Sequence, residues 1–318
     1  MSLGMLLRRL GHLLIVLFCV TLFVALLTRM MPGDPVDAIT GFSSQQQKEQ
    51  LRNQLGLKDP IPVQYGRWLG NFVRGNFGDY YSVTGGTPVM DRVKDALPVS
   101  LQLMIYAQLL ALLIAIPLGV ITAYREGSWF DRGSNATGFG LIAIPNFALA
   151  LVLAYYVGVK LRWFPVSGYV SPSQDLVEHM RRMVLPTVTL AAAQVAVYMR
   201  LLRSDMIATL QEDFITMAKA KGVSPRRVLW RHALRPSSLT LLTVAGLNVG
   251  TLIGGAVVVE VIFSLPGIGT LLFQAITARQ YVALQSLVAI VAVGYVLVNF
   301  FVDILYAVLD PRIRHARA

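Results

Sequence analysis

Charge is scarce in this chain. Asp, Glu, Lys and Arg together make 14% of its 318 residues, against roughly 25% in soluble globular proteins. Acids are the scarcer sign, 17 against 28 Lys and Arg. An ordinary water-soluble domain is excluded on that ground. Cysteine is nearly missing: Cys19 is the only one, so no intrachain disulfide can form, and its place inside an apolar run marks it as a packing residue. The histidines (His12, His179, His232, His315) are scattered, and no H-E-x-x-H is present to hold a catalytic zinc. There is no G-x-x-x-x-G-K-[ST] to cradle nucleotide phosphates and no G-x-S-x-G elbow to present a nucleophilic serine. No catalytic, cofactor or metal site is therefore expected. Work against a gradient would have to draw on an ion or on another subunit.

What is abundant is apolar. Hydrophobic residues make 55% of the chain, and the mean hydropathy is +0.60. About 20 apolar residues suffice to cross a bilayer as a helix, and six runs reach or approach that length: Leu10–Met31, Val99–Tyr124, Ser134–Val159, Met183–Met199, Leu239–Phe263 and Ala283–Leu309. An all-α integral membrane protein, one domain over residues 1–318, is the economical expectation. The fourth run is the shortest, with Pro186, Gln194 and Arg200 crowding its ends. The first is too long for the apolar core of a signal peptide and is read as a retained signal-anchor. Between the runs, residues 32–97 form the long outer loop, in which Gln45–Leu55 predicts a short polar helix and Gly78–Pro88 reads as loop. Lys160–Arg182 and Ser264–Tyr281 read as further outer loops.

The net charge of +11 invites a nucleic-acid reading, but its placement argues for a membrane surface. Arg8 and Arg9 contribute +2, residues 200–235 contribute +5 (eight Lys/Arg less three acids), and the tail from Asp310 contributes +2. Six spans put all three segments on one side, and the positive-inside rule makes that side cytoplasmic. Both termini are then cytoplasmic, and the basic face meets bilayer lipid and water with no nucleic acid involved.

The polar island Arg200–Arg235 is the most distinctive segment. Ser204 is placed to cap a helix over Asp205–Gly222, with Met206, Leu210, Phe214 and Met217 as its apolar anchors. Gly222 stands where a C-cap belongs, and Ser224-Pro225 follows as a stop and restart. Physics alone allows either a plain interfacial amphipathic helix or a docking element. Only two acids, Glu260 and Asp303, fall inside spans; each is either a functional intramembrane acid or a group satisfied near an interface. Gly246, Gly250 and Gly254 recur every four residues in the fifth span, which suits close helix packing or the wall of a passage.

Together these residues resemble the permease subunits of binding-protein-dependent ABC importers, and more narrowly the B-type subunit of the peptide/opine/nickel uptake group. The resemblance runs end to end: L-L-R-R-L (Leu6–Leu10), M-P-G-D-P (Met31–Pro35), Q-L-G-L-x-x-P-I (Gln54–Ile61), G-N-F-G (Gly75–Gly78), E-D-F-I-T-M-A-K-A-K-G (Glu212–Gly222), H-A-L-R-P (His232–Pro236), the block Gly254–Gly269 and the block Asn299–Arg314. The family's E-A-A-x-x-x-G survives only as Ala218 and Gly222, with Thr216 and Met217 in its first two positions.

That resemblance implies a six-span, type I importer permease in the cell membrane of a prokaryote. It implies a second homologous permease, two cytoplasmic ATPase domains holding ATP and Mg, and an extracytoplasmic solute-binding protein. The island becomes the coupling segment that docks on an ATPase, with Glu212, Asp213, Phe214, Ala218, Lys219 and Gly222 as contacts. Gln194, Asn248 and Gly250 are candidates for the translocation path. Trp68, Phe72, Phe77, Tyr80 and Tyr81 are either anchors for the binding protein or an interfacial aromatic belt. A stand-alone secondary transporter or channel is the competing class; it would work without ATPases and usually shows more internal symmetry.

Overall fold

The computed structural model describes residues 3–30, 34–40, 44–82 and 85–309; the side chains of Arg8 and Arg9 and the tail from Asp310 lie outside them. In chain order come α1 (Leu3–Met30), α2 (Pro35–Thr40), α3 (Gln45–Gln54), α4 (Ile61–Val73), strands β1 (Asp79–Ser82) and β2 (Gly85–Pro88), and α5 (Val89–Tyr124). Then follow α6 (Trp129–Ala143), α7 (Asn146–Leu153) with a π turn at Ala154–Lys160, α8 (Leu176–Leu210), α9 (Asp213–Ala220), α10 (Pro225–Arg227) with a second π turn at Val228–Ala233, α11 (Leu234–Ile262), α12 (Ile268–Thr277) and α13 (Tyr281–Leu309). The chain forms two compact units, Met1–Ser100 with Pro266–Leu297, and Leu101–Leu265 with Val298–Ala318.

The expected spans fall on α1, α5, the α6–α7 pair, α8, α11 and α13. Among the described residues four helices are long and apolar enough to cross a membrane, five if the α6–α7 pair counts as one, and α1 carries a shorter apolar stretch, Leu14–Thr28. Helix α5 shows why the medium must be lipid. Val99, Leu103, Ala107, Ala111 and Ala115 recur every four residues and are buried, while Leu101, Ile105, Leu109 and Leu113 keep the same spacing on the open side. In water, leaving each of those three leucines and one isoleucine out would forfeit about 1.5–3 kcal/mol; in hydrocarbon it costs nothing comparable.

Several local expectations need correction. The third span is not one straight helix: it bends by 102° between Trp129–Ala143 and Asn146–Lys160. Pro145 is the cause, since its ring pushes Ile144 out of the helical region into extended backbone (φ −82°, ψ 121°). Helix α8 begins at Leu176, inside what read as an outer loop, capped by the Asp175 carboxylate accepting from the Glu178 N–H at 2.9 Å. It is 35 residues long, about 50 Å at 1.5 Å per residue, so it outruns a hydrocarbon core of about 30 Å. Ser264–Tyr281 contains α12 rather than loop alone.

In the first unit, α3 starts on a capping box: the Gln47 N–H donates to Ser44 Oγ, and the Ser44 N–H donates to Gln47 Oε1. Gly78–Pro88, expected as loop, contains a hairpin pairing Asp79 with Pro88 and Tyr81 with Gly86. A side chain replaces the missing third strand. Gln280 Oε1 accepts from the Tyr81 N–H (3.0 Å) and its Nε2 donates to the Tyr81 carbonyl (2.6 Å). Phe18, Tyr65, Trp68, Phe72 and Phe77 stack in sequence with centroids 5.0–5.8 Å apart. Tyr65 is hydrogen-bonded to Thr21, and the Trp68 indole N–H donates to Ser286 Oγ. Trp68 is therefore internal packing in this unit, not an exposed docking anchor.

Candidate functional site

The site begins where the second unit's longest helices end. Helices α8 and α11 are packed along each other, and the segment between them folds back on both. Thr209 and Ser237 share a hydroxyl hydrogen bond of 2.9 Å, and Ser237 Oγ also donates to the Ala233 carbonyl at 3.0 Å. The C-terminal end of α8 and the N-terminal end of α11 are thus clasped, with residues 210–236 as a closed excursion.

Within it, the expected helix from Ser204 is not what forms. Ser204 lies inside α8, which stops at Leu210 with Gln211 as its C-cap, and a new helix starts after Glu212. Glu212 has extended N-cap backbone (φ −70°, ψ 149°), yet its carboxylate makes no capping bond and remains exposed. Asp213 in the first turn and Lys219 in the last both suit the helix dipole. The far end is a Schellman closure: Gly222 N–H donates to Lys219 O (3.0 Å) and Val223 N–H to Ala218 O (3.2 Å), with Gly222 at φ +76° as the left-handed position requires. The break resets the helical phase. Ile215 is fully buried, Ala218 shares its side and is half-buried, while Phe214 and Met217 are turned out, 42% and 58% exposed. The sequence pattern makes Phe214 and Met217 the anchors and misses Ile215, which does the anchoring. The outer face is an apolar pair rimmed by Glu212, Asp213 and Lys219, the composition of an interface core with a polar rim.

A second group is missed altogether by the sequence pattern. Asp131, 3% exposed, receives Arg203 Nε at 2.6 Å and Nη2 at 2.8 Å, the Gly127 N–H at 2.9 Å and Asn135 Nδ2 at 2.8 Å. This bidentate clamp ties the start of α6 to the lower part of α8. It also neutralises one of the island's eight cations internally, so the island's +5 overstates its outward charge. Arg200 lies over the Phe139 ring at 4.0 Å, which turns a second cation onto α6.

Deeper in the second unit lies a ladder of uncharged polar groups. Gln194 Nε2 donates to Thr251 Oγ1 (3.1 Å), which donates to the Asn248 carbonyl (2.8 Å). Tyr198 OH donates to Gln108 Oε1 (3.1 Å), and Gln194 Oε1 has no partner. Gln194 and Asn248 are thus brought together through Thr251, which sequence reasoning does not single out; Gly250 is half-buried on the same helix. The α11 glycines do not act alike. A Cβ on Gly246 would lie 2.5 Å from Val302 Cγ1, one on Gly255 would lie 3.2 Å from Asn146 Nδ2, and one on Gly254 would meet nothing within 4 Å. Glu260 is fully buried in the last turn of α11. Asp303 falls on α13, and its side chain lies outside the described residues.

Residues 115–315 match the family described as binding-protein-dependent transport system inner membrane component, and residues 2–104 match that family's N-terminal region. The chain belongs to this family. Among its relatives, the oligopeptide transport system permease protein AppB of Bacillus subtilis is 39% identical over 94% of this chain and 96% of that one. The di/tripeptide transport system permease protein DppB of Pseudomonas aeruginosa is 39% identical over 98% of both. A chain of the MetNI methionine ABC transporter, in an inward-facing crystal form, superposes with a TM-score of 0.55 at 16% identity, covering 70% of this chain and 97% of that one. The fold is that of a type I ABC importer permease. As a binding-protein-dependent transport component the chain is a multi-pass membrane permease subunit, and its family implies ATPase and substrate-binding partners. ATP hydrolysis belongs to those partners.

Proposed function

We propose that this chain is half of the translocation path of an importer for di- or oligopeptides. A second homologous permease forms the other half, two cytoplasmic ATPase domains with ATP and Mg drive it, and an extracytoplasmic protein delivers the solute. The chain is one permease domain of six spans in the membrane of a prokaryote, with both termini cytoplasmic and residues 32–97 outside. The names of the relatives AppB and DppB support the solute class. The observation that carries the coupling role is α9: a short capped helix, held by Ile215 and the Thr209–Ser237 clasp, that turns Phe214 and Met217 outward beside Glu212 and Asp213.

ATP-driven closure of the ATPases moves α9, and the clasped α8 and α11 carry that movement into the spans. The free energy enters as differential binding of the two states of the bundle. Gln194, Asn248, Gly250 and Thr251 present uncharged amide, hydroxyl and backbone groups to the route, suited to a main chain that is itself amide. Glu260 and Asp303 are structural acids of the helix ends in this reading. The test is uptake by cells carrying Gly222→Arg or Glu212→Lys: expected is normal membrane insertion with uptake lost. Normal uptake at normal expression would remove α9 from the coupling role.

A further inference from the structure

The first unit contains a cavity of about 220 Å³ with a chemistry of its own. We propose that it is a binding site for a small zwitterion, a free amino acid or dipeptide, built from residues other than those assigned to the route. Arg279, Asp79, Gln285, Asn71 and Gln54 all line it. The guanidinium of Arg279 and the carboxylate of Asp79 form no ion pair among the described residues. Arg67 lines it as well, but its guanidinium is paired with Asp59 at 2.8 Å, so Arg279 and Asp79 are the cation and the anion left to meet an α-carboxylate and an α-ammonium group. Gln285, 8% exposed, leaves its Nε2 buried without an acceptor, an arrangement that costs free energy unless a partner is supplied; a ligand carbonyl or carboxylate oxygen supplies one.

The backbone points the same way. Arg279 closes α12 through Gln280 N–H to Ala275 O (2.9 Å) and Arg279 N–H to Ile276 O (3.2 Å), and it sits at φ +51°. That C-terminal position ordinarily belongs to glycine, so the chain tolerates strain to keep a guanidinium there, and such strain concentrates at ligand sites. The wall is rigid: Gln280 holds the hairpin bearing Asp79, and Trp68 is pinned to Ser286. Drug-sized sites run to roughly 300–1,000 Å³, so this smaller space selects a ligand of amino-acid or dipeptide size. The inference rests on the pocket's charges and does not depend on what is transported.

The test uses the full-length chain, with the subunits that co-purify, in phosphatidylethanolamine/phosphatidylglycerol nanodiscs without any solute-binding protein. Equilibrium dialysis of labelled alanyl-alanine should show saturable binding. N-acetyl-alanyl-alanine and alanyl-alaninamide, each lacking one charge, should bind about tenfold more weakly or worse. Asp79→Asn should lose binding to the same degree. Arg279→Gly should lose binding while unfolding no more easily than wild type, because glycine relieves the left-handed strain; this separates lost binding from lost folding. Absence of saturable binding in the millimolar range, equal binding of the capped peptides, or binding unchanged in both variants would overturn the proposal. Neither transport nor ATP hydrolysis enters the readout, so its failure leaves the import reading standing, and the reverse holds.

Discussion

Replacing Asp131 by Ala should strongly destabilise the second unit. The carboxylate accepts four hydrogen bonds, two of them from Arg203, and its removal strands the guanidinium of a side chain that is only 22% exposed. Breaking a fully buried pair costs about 3–5 kcal/mol; partial access of Arg203 to water lowers the expectation to about 2–3 kcal/mol. Arg203→Ala should cost a similar amount. The double replacement Asp131→Ala with Arg203→Ala removes both charges together, and should cost far less than the sum of the two single changes because no ion is left unpaired. The assay is a double-mutant cycle on reversible unfolding in mixed micelles. A coupling of at least about 1.5 kcal/mol is expected, and additivity within about 0.5 kcal/mol would refute the clamp as a structural unit.

Other expectations follow from the same geometry. Gly246→Ala forces its methyl onto the stiff, β-branched Val302 and should destabilise by about 1–3 kcal/mol, whereas Gly254→Ala, with open space around it, should fold normally; the same unfolding assay separates them. Acid should loosen the α2–α3 segment late. Burial pushes the Asp34 carboxyl up, but hydrogen bonds from Arg52 and the Val36 N–H, with the Arg52 and Lys48 charges, outweigh it and hold the group low. Glu49 is held low by hydrogen bonds from Lys58 and Arg52. Because both folded values lie below the unfolded ones, the contribution is present above the usual carboxylate range and fades as pH falls through the lowered values. Protection of the α3 amides, taken relative to the intrinsic exchange rate at each pH, should therefore hold through about pH 5 and fall below about pH 4, with Arg52→Gln moving the onset upward; protection independent of pH would contradict the network.

Much of the architecture is written in local patterns, and the misses share a physical cause. Gly222 is legible as a terminus because a left-handed cap needs glycine and Ser224-Pro225 follows. The α3 helix is legible through its polar run, and Ser44 and Gln47 supply its capping box. The outward turn of Phe214 and Met217 is not legible: their spacing from Met206 and Leu210 implies one continuous face, and only the break at Gln211–Glu212 changes the phase. Pro145 carries a signal for the bend that continuous apolarity obscures. Asp131 and Arg203 are 72 residues apart, in no shared period, so nothing local pairs them. The hairpin escapes for a similar reason, since G-G-T-P has little strand propensity and its ordering partner, Gln280, is 199 residues distant.

The central claim is that the outer face of α9 is where the ATPase grips. It is tested most directly by placing a single reactive thiol there, Met217→Cys in a Cys19→Ser background, and measuring maleimide labelling in membranes with and without the ATPase subunits. The account expects rapid labelling without them, strong protection with them, and crosslinking of the introduced thiol to an ATPase by a short bifunctional reagent, while Ile215→Cys stays unlabelled in both. Equal labelling of Met217→Cys with and without the ATPases, and no crosslink, would contradict it.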